Sequence, residues 1–572
     1  MILRGTGASD GIGIGKAVCL REQSLDYSAI QYSGKEAEKA RLQSAIAQFN
    51  EKTQAMAERI REHVGQKESE ILTGQIVMMS DPFMQSQITD AIELGHCAEA
   101  AVDQVCTMYV DMFAGVDDEM MRQRASDIRD VRNRMLSILL GAETVDVSTL
   151  SSGTVLLAHD LTPSMTVGLK REKIAAIVTE VGGRTSHSAI LARSLGIPAV
   201  LSVPKALEQI KDGDCVIVDG NSGTVLLNPD QMTRSEYLKK QASYEKRQAL
   251  LKVYLNRKTE DADGKQYALY ANIGSAAEAT VAAETGAEGI GLFRTEFLFM
   301  DRTSAPTEAE QLDAYLAVSE AMAGKEVIIR TLDVGGDKAI EYLEMAKEDN
   351  PFLGHRAIRY CLDRPDLFKV QLRALLRAGA AHRNIKIMLP LVTCLEEVRR
   401  ARELLEQCKK ELAAENAAFD PDIALGIMVE TPAAAWTADL LAAECDFFSI
   451  GTNDLTQYTM AVDRGNAKVE ALYTPFHPGV LRSIQRIISA AKAAGIPVGM
   501  CGEAAADPRL IPLLMSWGLD EFSVSTASIL PTRAQIHQWS QSTADHVAQE
   551  ATKLSTANGV EGYLKANQKT AV

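Results

Sequence analysis

The chain has 572 residues, room for several domains at roughly 100–200 residues each. Its composition, 46% hydrophobic and 24% charged, is that of a folded globular protein and excludes disordered or fibrous architectures. The 60 Lys and Arg against 76 Asp and Glu give a formal charge of −16, which repels phosphate backbones and argues against nucleic acid as a partner. No apolar run approaches the ~20 residues of a membrane span, and MILRGTGASD lacks the features of a signal peptide, so a cytoplasmic protein without membrane insertion is expected. Nine cysteines with no CxxC pair read as reduced thiols, mostly buried.

Glycine and proline are sparse from Gly34 to Gly141, and Leu42, Ile46, Phe49, Met56 and Ile60 share one helical stripe. Further helices are predicted over 82–94, 98–113 and 117–140, giving a helical bundle over 23–145. From Thr154 the texture changes to short β-rich runs, TVLLA, IAAIVTE, CVIVDG and TVLLNP, with one helical piece after Ser186. The opening Ile12–Leu20 stretch is strand-like and is expected to join this sheet, so an α/β domain of 1–22 and 146–230 carries the bundle as an insertion. The run Gly11-Ile-Gly-Ile-Gly15 is GxGxG without the third glycine spacing or a following acid, and reads as a tight turn, not a dinucleotide loop.

No Gly or Pro occurs from Gln231 to Ala262, which predicts one linker helix of about 30 residues, roughly 45 Å long. After Gly264, eight strand-like runs alternate with helices: YALYANIG, GIGLFRTEFLF, EVIIRTLDVGG, IKIMLPLV, ALGIMVET, FFSIGTNDL, PVGMCGE and EFSVS. Eight β/α units over 263–572 predict a (β/α)8 TIM barrel, in which chemistry collects at the carboxyl ends of the strands. Asn272, Arg294, Arg330, Glu430, Asn453 and Cys501 all fall near such ends.

One segment of the first half stands out. In GGRTSHSAILARSLGIPAV two glycines lead from an apolar strand to His187, in the first turn of a helix. There the free N–H groups and the dipole would hold a phosphate and favour a neutral, nucleophilic imidazole. A lone histidine in that position is ordinarily a surface residue or a cap; the surrounding sequence overturns this. GGRTSHSAI resembles the phosphohistidine motif of the phosphoenolpyruvate-utilising enzymes. GLFRTEFLFMDR, IIRTLDVGGDK, DNPFLGHRAIR, GIMVETPAA, FFSIGTNDLTQYTMAVDRGN and GMCGEAA narrow the resemblance to the enzyme I family of the bacterial phosphoenolpyruvate:sugar phosphotransferase system, over almost the whole chain.

The resemblance implies a swivelling phosphohistidine domain, an inserted helical domain that receives the carrier protein HPr, and a phosphoenolpyruvate-binding barrel that also forms a homodimer. It implies His187 as the phosphorylated nucleophile, Thr166 orienting its imidazole, and Cys501 delivering a proton to C3 of the departing enolate. Glu430 and Asp454 match the two ligands of Mg2+. Arg294, Arg330 and Arg464 match the substrate arginines, Asn453 presents an amide beside them, and Arg356 and Lys338 are further cations expected there. His355 departs from the family pattern, standing where many members have Trp, and the partner-receiving segment around KESEILTGQIVMMSDPF has Glu68, Glu70 and Asp81 as its acids.

Two family rivals, pyruvate phosphate dikinase and phosphoenolpyruvate synthase, carry a large ATP-grasp domain before the histidine. The 186 residues ahead of His187 read instead as helices in an α/β domain. A barrel lyase would have no use for His187, and a non-catalytic regulator none for the barrel residues. Enzyme I activity, in a general enzyme or a paralog serving a dedicated HPr-like carrier, is the expectation.

Overall fold

The computed structural model describes the chain apart from residues 21–24, 64–65, 115–118, 142–149, 162–164, 166–170, 184–185, 301, 303, 336–339, 344, 347, 467 and 570–572. It divides into two compact units, Met1–Arg247 and Gln248–Val572.

The first unit holds one sheet of β1 (Ile2–Arg4), β2 (Thr6–Ser9), β3 (Ile12–Leu20), β4 (Thr154–Ala158), β5 (Ile174–Thr179), β6 (Ala199–Leu201), β7 (Cys215–Asp219) and β8 (Thr224–Leu227), in the order β1-β8-β7-β3-β4-β5-β6-β2. β3 and β4 pair in parallel, Lys16 against Thr154, although five helices separate them in sequence. Those helices, Lys35–His63, Gln66–Met79, Pro82–Glu93, Ala98–Ala114 and Glu119–Leu140, bury their own apolar core around Phe49, Ile88, Val102, Val131 and Met135. Asp81 N-caps the third of them, accepting hydrogen bonds from the N–H groups of Phe83 and Met84.

The glycines at 11–15 do not form the expected turn. Gly13 and Gly15 lie inside β3, where a Cβ would collide with the backbone oxygens of Ala175 and Gly153. These two glycines serve close backbone approach, and of the three only Gly11 has the positive φ, 118°, that a turn reading requires.

The linker helix is also shorter than expected, running Gln231–Leu251. Its continuation is captured by the barrel. The buried Arg533 guanidinium donates to the carbonyls of Tyr254 and Gly286 and to Thr259 Oγ1, at 2.9, 2.5 and 2.9 Å. Next, Asp261 turns the chain by accepting from the N–H groups of Asp263 and Lys265. Absence of Gly and Pro permits a helix; these tertiary bonds end it.

The second unit is a closed barrel of eight parallel strands: β9 (Ala268–Ile273), β10 (Ile290–Arg294), β11 (Val327–Arg330), β12 (Ile385–Leu389), β13 (Ala424–Val429), β14 (Phe448–Ile450), β15 (Val498–Met500) and β16 (Glu521–Ser525). Each of the eight predicted runs contains one of them. Alternate residues face inward, so Leu292, Ile328, Met388, Met428 and Phe447 fill the interior below Cys501, while the opposite faces pack under the outer helices. Among the described residues no helix is long and apolar enough to cross a membrane, and all nine cysteines are free, six of them buried.

Candidate active site

At the carboxyl ends of the barrel strands lies a cavity of about 370 Å³. Arg294, Arg330, Arg356, Arg464, Glu430, Asn453, Asp454 and Cys501 all line it, so eight predicted residues from five strand ends and their loops converge on one place. His187 belongs to the other unit, where it opens the helix His187–Ser194 behind the N-cap Ser186, whose Oγ accepts from Ala189 N. Thr166 and Lys338 lie outside the described residues.

The guanidinium groups are held by carboxylates, of which the sequence reading named Asp454 and missed Glu296 and Asp333. Arg330 Nη2 is 2.7 Å from Glu296 Oε1, and its Nη1 is 3.1 Å from Asp333 Oδ2. Arg356 Nη2 meets Asp333 Oδ1 at 2.9 Å and Asp454 Oδ2 at 3.2 Å, while Arg464 Nη1 reaches Asp454 Oδ1 at 3.1 Å. Both Arg330 and Arg356 are buried, and their acidic neighbours drive their affinity for protons above the ordinary arginine value against the cost of burial. Among the described residues Arg294 has no carboxylate partner, which leaves its five N–H donors for an incoming anion. Asp333 and Glu296 could have been found from the motifs themselves, since each sits two or three residues beyond a predicted arginine.

Glu430 follows β13 and is 3% exposed. Its Oε1 accepts from the N–H of Leu391 at 2.6 Å, and Leu391 holds a left-handed φ of 56° to present that group. Burial first, then the neighbouring Asp454 and Asp333, push the Glu430 carboxyl up to about 8, with Arg330 and Arg356 opposing. Gly451 makes room beside it: a Cβ there would lie 2.6 Å from Glu430 Oε2. Among the described residues, five carboxylates and four guanidiniums line the cavity. A neutral Glu430 brings these described charges to balance in the free protein.

Among the described residues no three His, Cys, Asp or Glu side chains are grouped to enclose a metal. Glu430 and Asp454 fit a cation that keeps part of its shell for water and substrate oxygens, as magnesium does. The buried Cys501 thiol is pushed up to about 11, mainly by burial, and is therefore fully protonated at neutral pH. Asn272 Nδ2 donates to the Cys501 carbonyl at 2.9 Å and fixes its position. His355, although part of the LGHRAIR motif, does not line the cavity, and His477 caps the helix Pro478–Ala494.

Three family models match the chain: PEP-utilising enzyme, PEP-binding domain over 248–541; PEP-utilising enzyme, mobile domain over 150–223; and PEP-utilising enzyme, N-terminal over 4–124. The phosphoenolpyruvate-protein phosphotransferase of Bacillus sp. (strain S) is 45% identical over 564 residues, 98% of this chain and 97% of that protein. The chain belongs to the phosphoenolpyruvate-protein phosphotransferase family. The member from Bacillus subtilis (strain 168) is 44% identical over 98% of this chain and 99% of its own length. Among solved structures, the solution structure of enzyme I (nEIt) aligns at 38% identity over 42% of this chain and 99% of that chain, with a TM-score of 0.37. The family's PEP-binding model covers every residue of the cavity described above, and its mobile-domain model covers His187.

Proposed function

We propose that this protein transfers the phosphoryl group of phosphoenolpyruvate to its own His187 and then to a histidine of the carrier protein HPr, releasing pyruvate, as the first step of a sugar phosphotransferase system. The single observation that carries this reading is the cavity in which Arg294, Arg330, Arg356 and Arg464 converge with Glu430 and Asp454 at the strand ends of the barrel. Phosphoenolpyruvate presents a carboxylate and a phosphate at opposite ends, and fixed guanidinium forks suit both.

Binding exchanges partners. Arg330 and Arg356 turn part of their donor set from Asp333 and Asp454 to substrate oxygens, where they meet the charge that spreads over the transferring phosphoryl group. Glu430 and Asp454 would hold Mg2+, which when bound neutralises the substrate oxygens as a Lewis acid. His187 Nε2 attacks phosphorus in line; the N–P bond forms as the P–O bond to C2 of the enol breaks. Cys501 gives its thiol proton to C3 of the enolate, and pyruvate leaves.

A phosphoimidazole keeps a high transfer potential, which suits a donor that must charge a diffusing protein. The residues at the start of the helix His187–Ser194 supply N–H groups and the positive end of its dipole to the phosphate. A homodimer through the barrel and a cytoplasmic location complete the reading. Labelled phosphoenolpyruvate with Mg2+ and no ATP tests it. The label should appear on the protein and pass to added HPr; labelling that requires ATP would contradict it.

A further inference from the structure

Arg356 is fixed from its backbone outward. The next residue, Ala357, is fully buried and holds a positive φ of 53°, a conformation an alanine adopts only under constraint, and its N–H donates to the Val334 carbonyl at 3.1 Å. Gly335 packs against the same point: a Cβ there would lie 2.5 Å from Arg356 Cβ. At the far end of the side chain, Nη2 is shared between Asp333 and Asp454, while Nη1 donates to the Tyr458 hydroxyl at 3.2 Å. The Tyr458 hydroxyl in turn donates to the carbonyl of Phe352, which precedes Arg356 in the DNPFLGHRAIR run.

The three partners of Arg356 differ in kind. Asp333 also pairs with Arg330, and Asp454 also pairs with Arg464, so each carboxylate has a second guanidinium to turn to. Both carboxylates compete with a substrate anion for the Arg356 charge. Tyr458 brings no charge. Its proton is committed to Phe352, so its oxygen serves Arg356 as an acceptor, and burial pushes the hydroxyl up to about 12, which keeps it neutral. Asp454 and Tyr458 stand one turn apart on the helix Thr452–Met460, which also carries Asn453. The phenol thus ties the loop that bears Arg356 to the helix that bears a candidate metal ligand.

We infer that Tyr458 is a positioning residue for phosphoryl transfer, holding Arg356 Nη1 in place while the Nη2 side exchanges Asp333 and Asp454 for substrate oxygens. This rests on the reading of Arg356 as a clamp on the phosphoryl group. A neutral acceptor suits the task, because it restrains the guanidinium without cancelling the charge that the transition state draws on. Arg356 Nε is buried and has no hydrogen-bond partner among the described residues, so the guanidinium keeps donor capacity beyond these three contacts. Without the hydroxyl, Arg356 retains its charge and loses its lateral restraint.

The test is a double-mutant cycle on the full-length protein with Tyr458→Phe, Arg356→Ala and the two combined, read as single-turnover pyruvate formation from phosphoenolpyruvate and Mg2+ by rapid quench. Tyr458→Phe should slow the saturating rate roughly 10- to 100-fold, the scale of a hydrogen bond to a charged group, and shift the half-saturating phosphoenolpyruvate concentration far less. In the Arg356→Ala background the same change should cost nothing further, because the group it positions is gone. Equal losses in the two backgrounds would overturn the inference and make Tyr458 a support of the fold that acts independently of Arg356. A wild-type rate for Tyr458→Phe, or a loss confined to the half-saturating concentration, would overturn it as well. A wild-type protein that forms no pyruvate, or an Arg356→Ala rate equal to wild type, would instead refute the reading on which the inference rests.

Discussion

Arg356 Nη2 lies 3.2 Å from Asp454 Oδ2, so a candidate substrate cation and a candidate metal ligand neutralise each other in the free protein. With Asp333 joining Arg356 to Arg330, the site is a chain of ion pairs whose members can change partners when a dication and an anion arrive together. Preorganisation here consists of holding charges in place while keeping their sum near zero.

Replacement of Arg356 by Ala removes one of the clamps proposed for the transferring phosphoryl group and leaves Asp333 with one fewer counter-charge. kcat/KM for phosphoenolpyruvate should fall by about 10²–10³, the cost of losing one preorganised donor to the transition state. Loading of the same variant from phospho-HPr, which does not use the barrel, should be unchanged. A parallel loss in both directions would remove Arg356 from the substrate site.

Cys501→Ala keeps the proposed nucleophile and the cations and removes the proposed proton donor to C3. Loading from phosphoenolpyruvate should slow by roughly 10²–10⁴-fold, while exchange with phospho-HPr, which involves no carbon acid, stays close to wild type. Equal losses in the two directions would make Cys501 a packing residue.

Two buried carboxyls, Glu430 and Glu521, are pushed up to about 8, above the ordinary glutamate value. Between those limits the folded protein binds more protons than the unfolded chain, so their contribution to stability is present at low pH and is lost as pH rises through about 8. The melting temperature of the metal-free barrel should therefore fall between pH ~5 and ~9. Glu521→Gln should flatten that fall in part, and Mg2+ should flatten the share due to Glu430. A slope unchanged by Glu521→Gln would contradict the assignment.

The barrel was legible because each strand is a short apolar run ending in a polar motif, and a parallel sheet buried on both faces writes itself as such runs. The eight converging residues were legible only through long motifs; a single arginine or cysteine in a strand-end loop carries no such message. What escaped the sequence reading is tertiary. The end of the linker helix depends on Arg533, nearly 280 residues away from the carbonyls it captures. The glycines in β3 answer to backbone oxygens from other strands. Strands of three or four residues, β1, β2 and β6, are too short to show a period.

The most direct measurement of the central claim is mass-spectrometric mapping of the phosphate after the protein meets phosphoenolpyruvate and Mg2+ without ATP, under alkaline conditions that preserve phosphoramidates. The account predicts one phosphate per chain, on the peptide that begins the helix His187–Ser194, absent from His187→Ala and discharged by HPr. Phosphate on another residue, or undiminished labelling of His187→Ala, would contradict it.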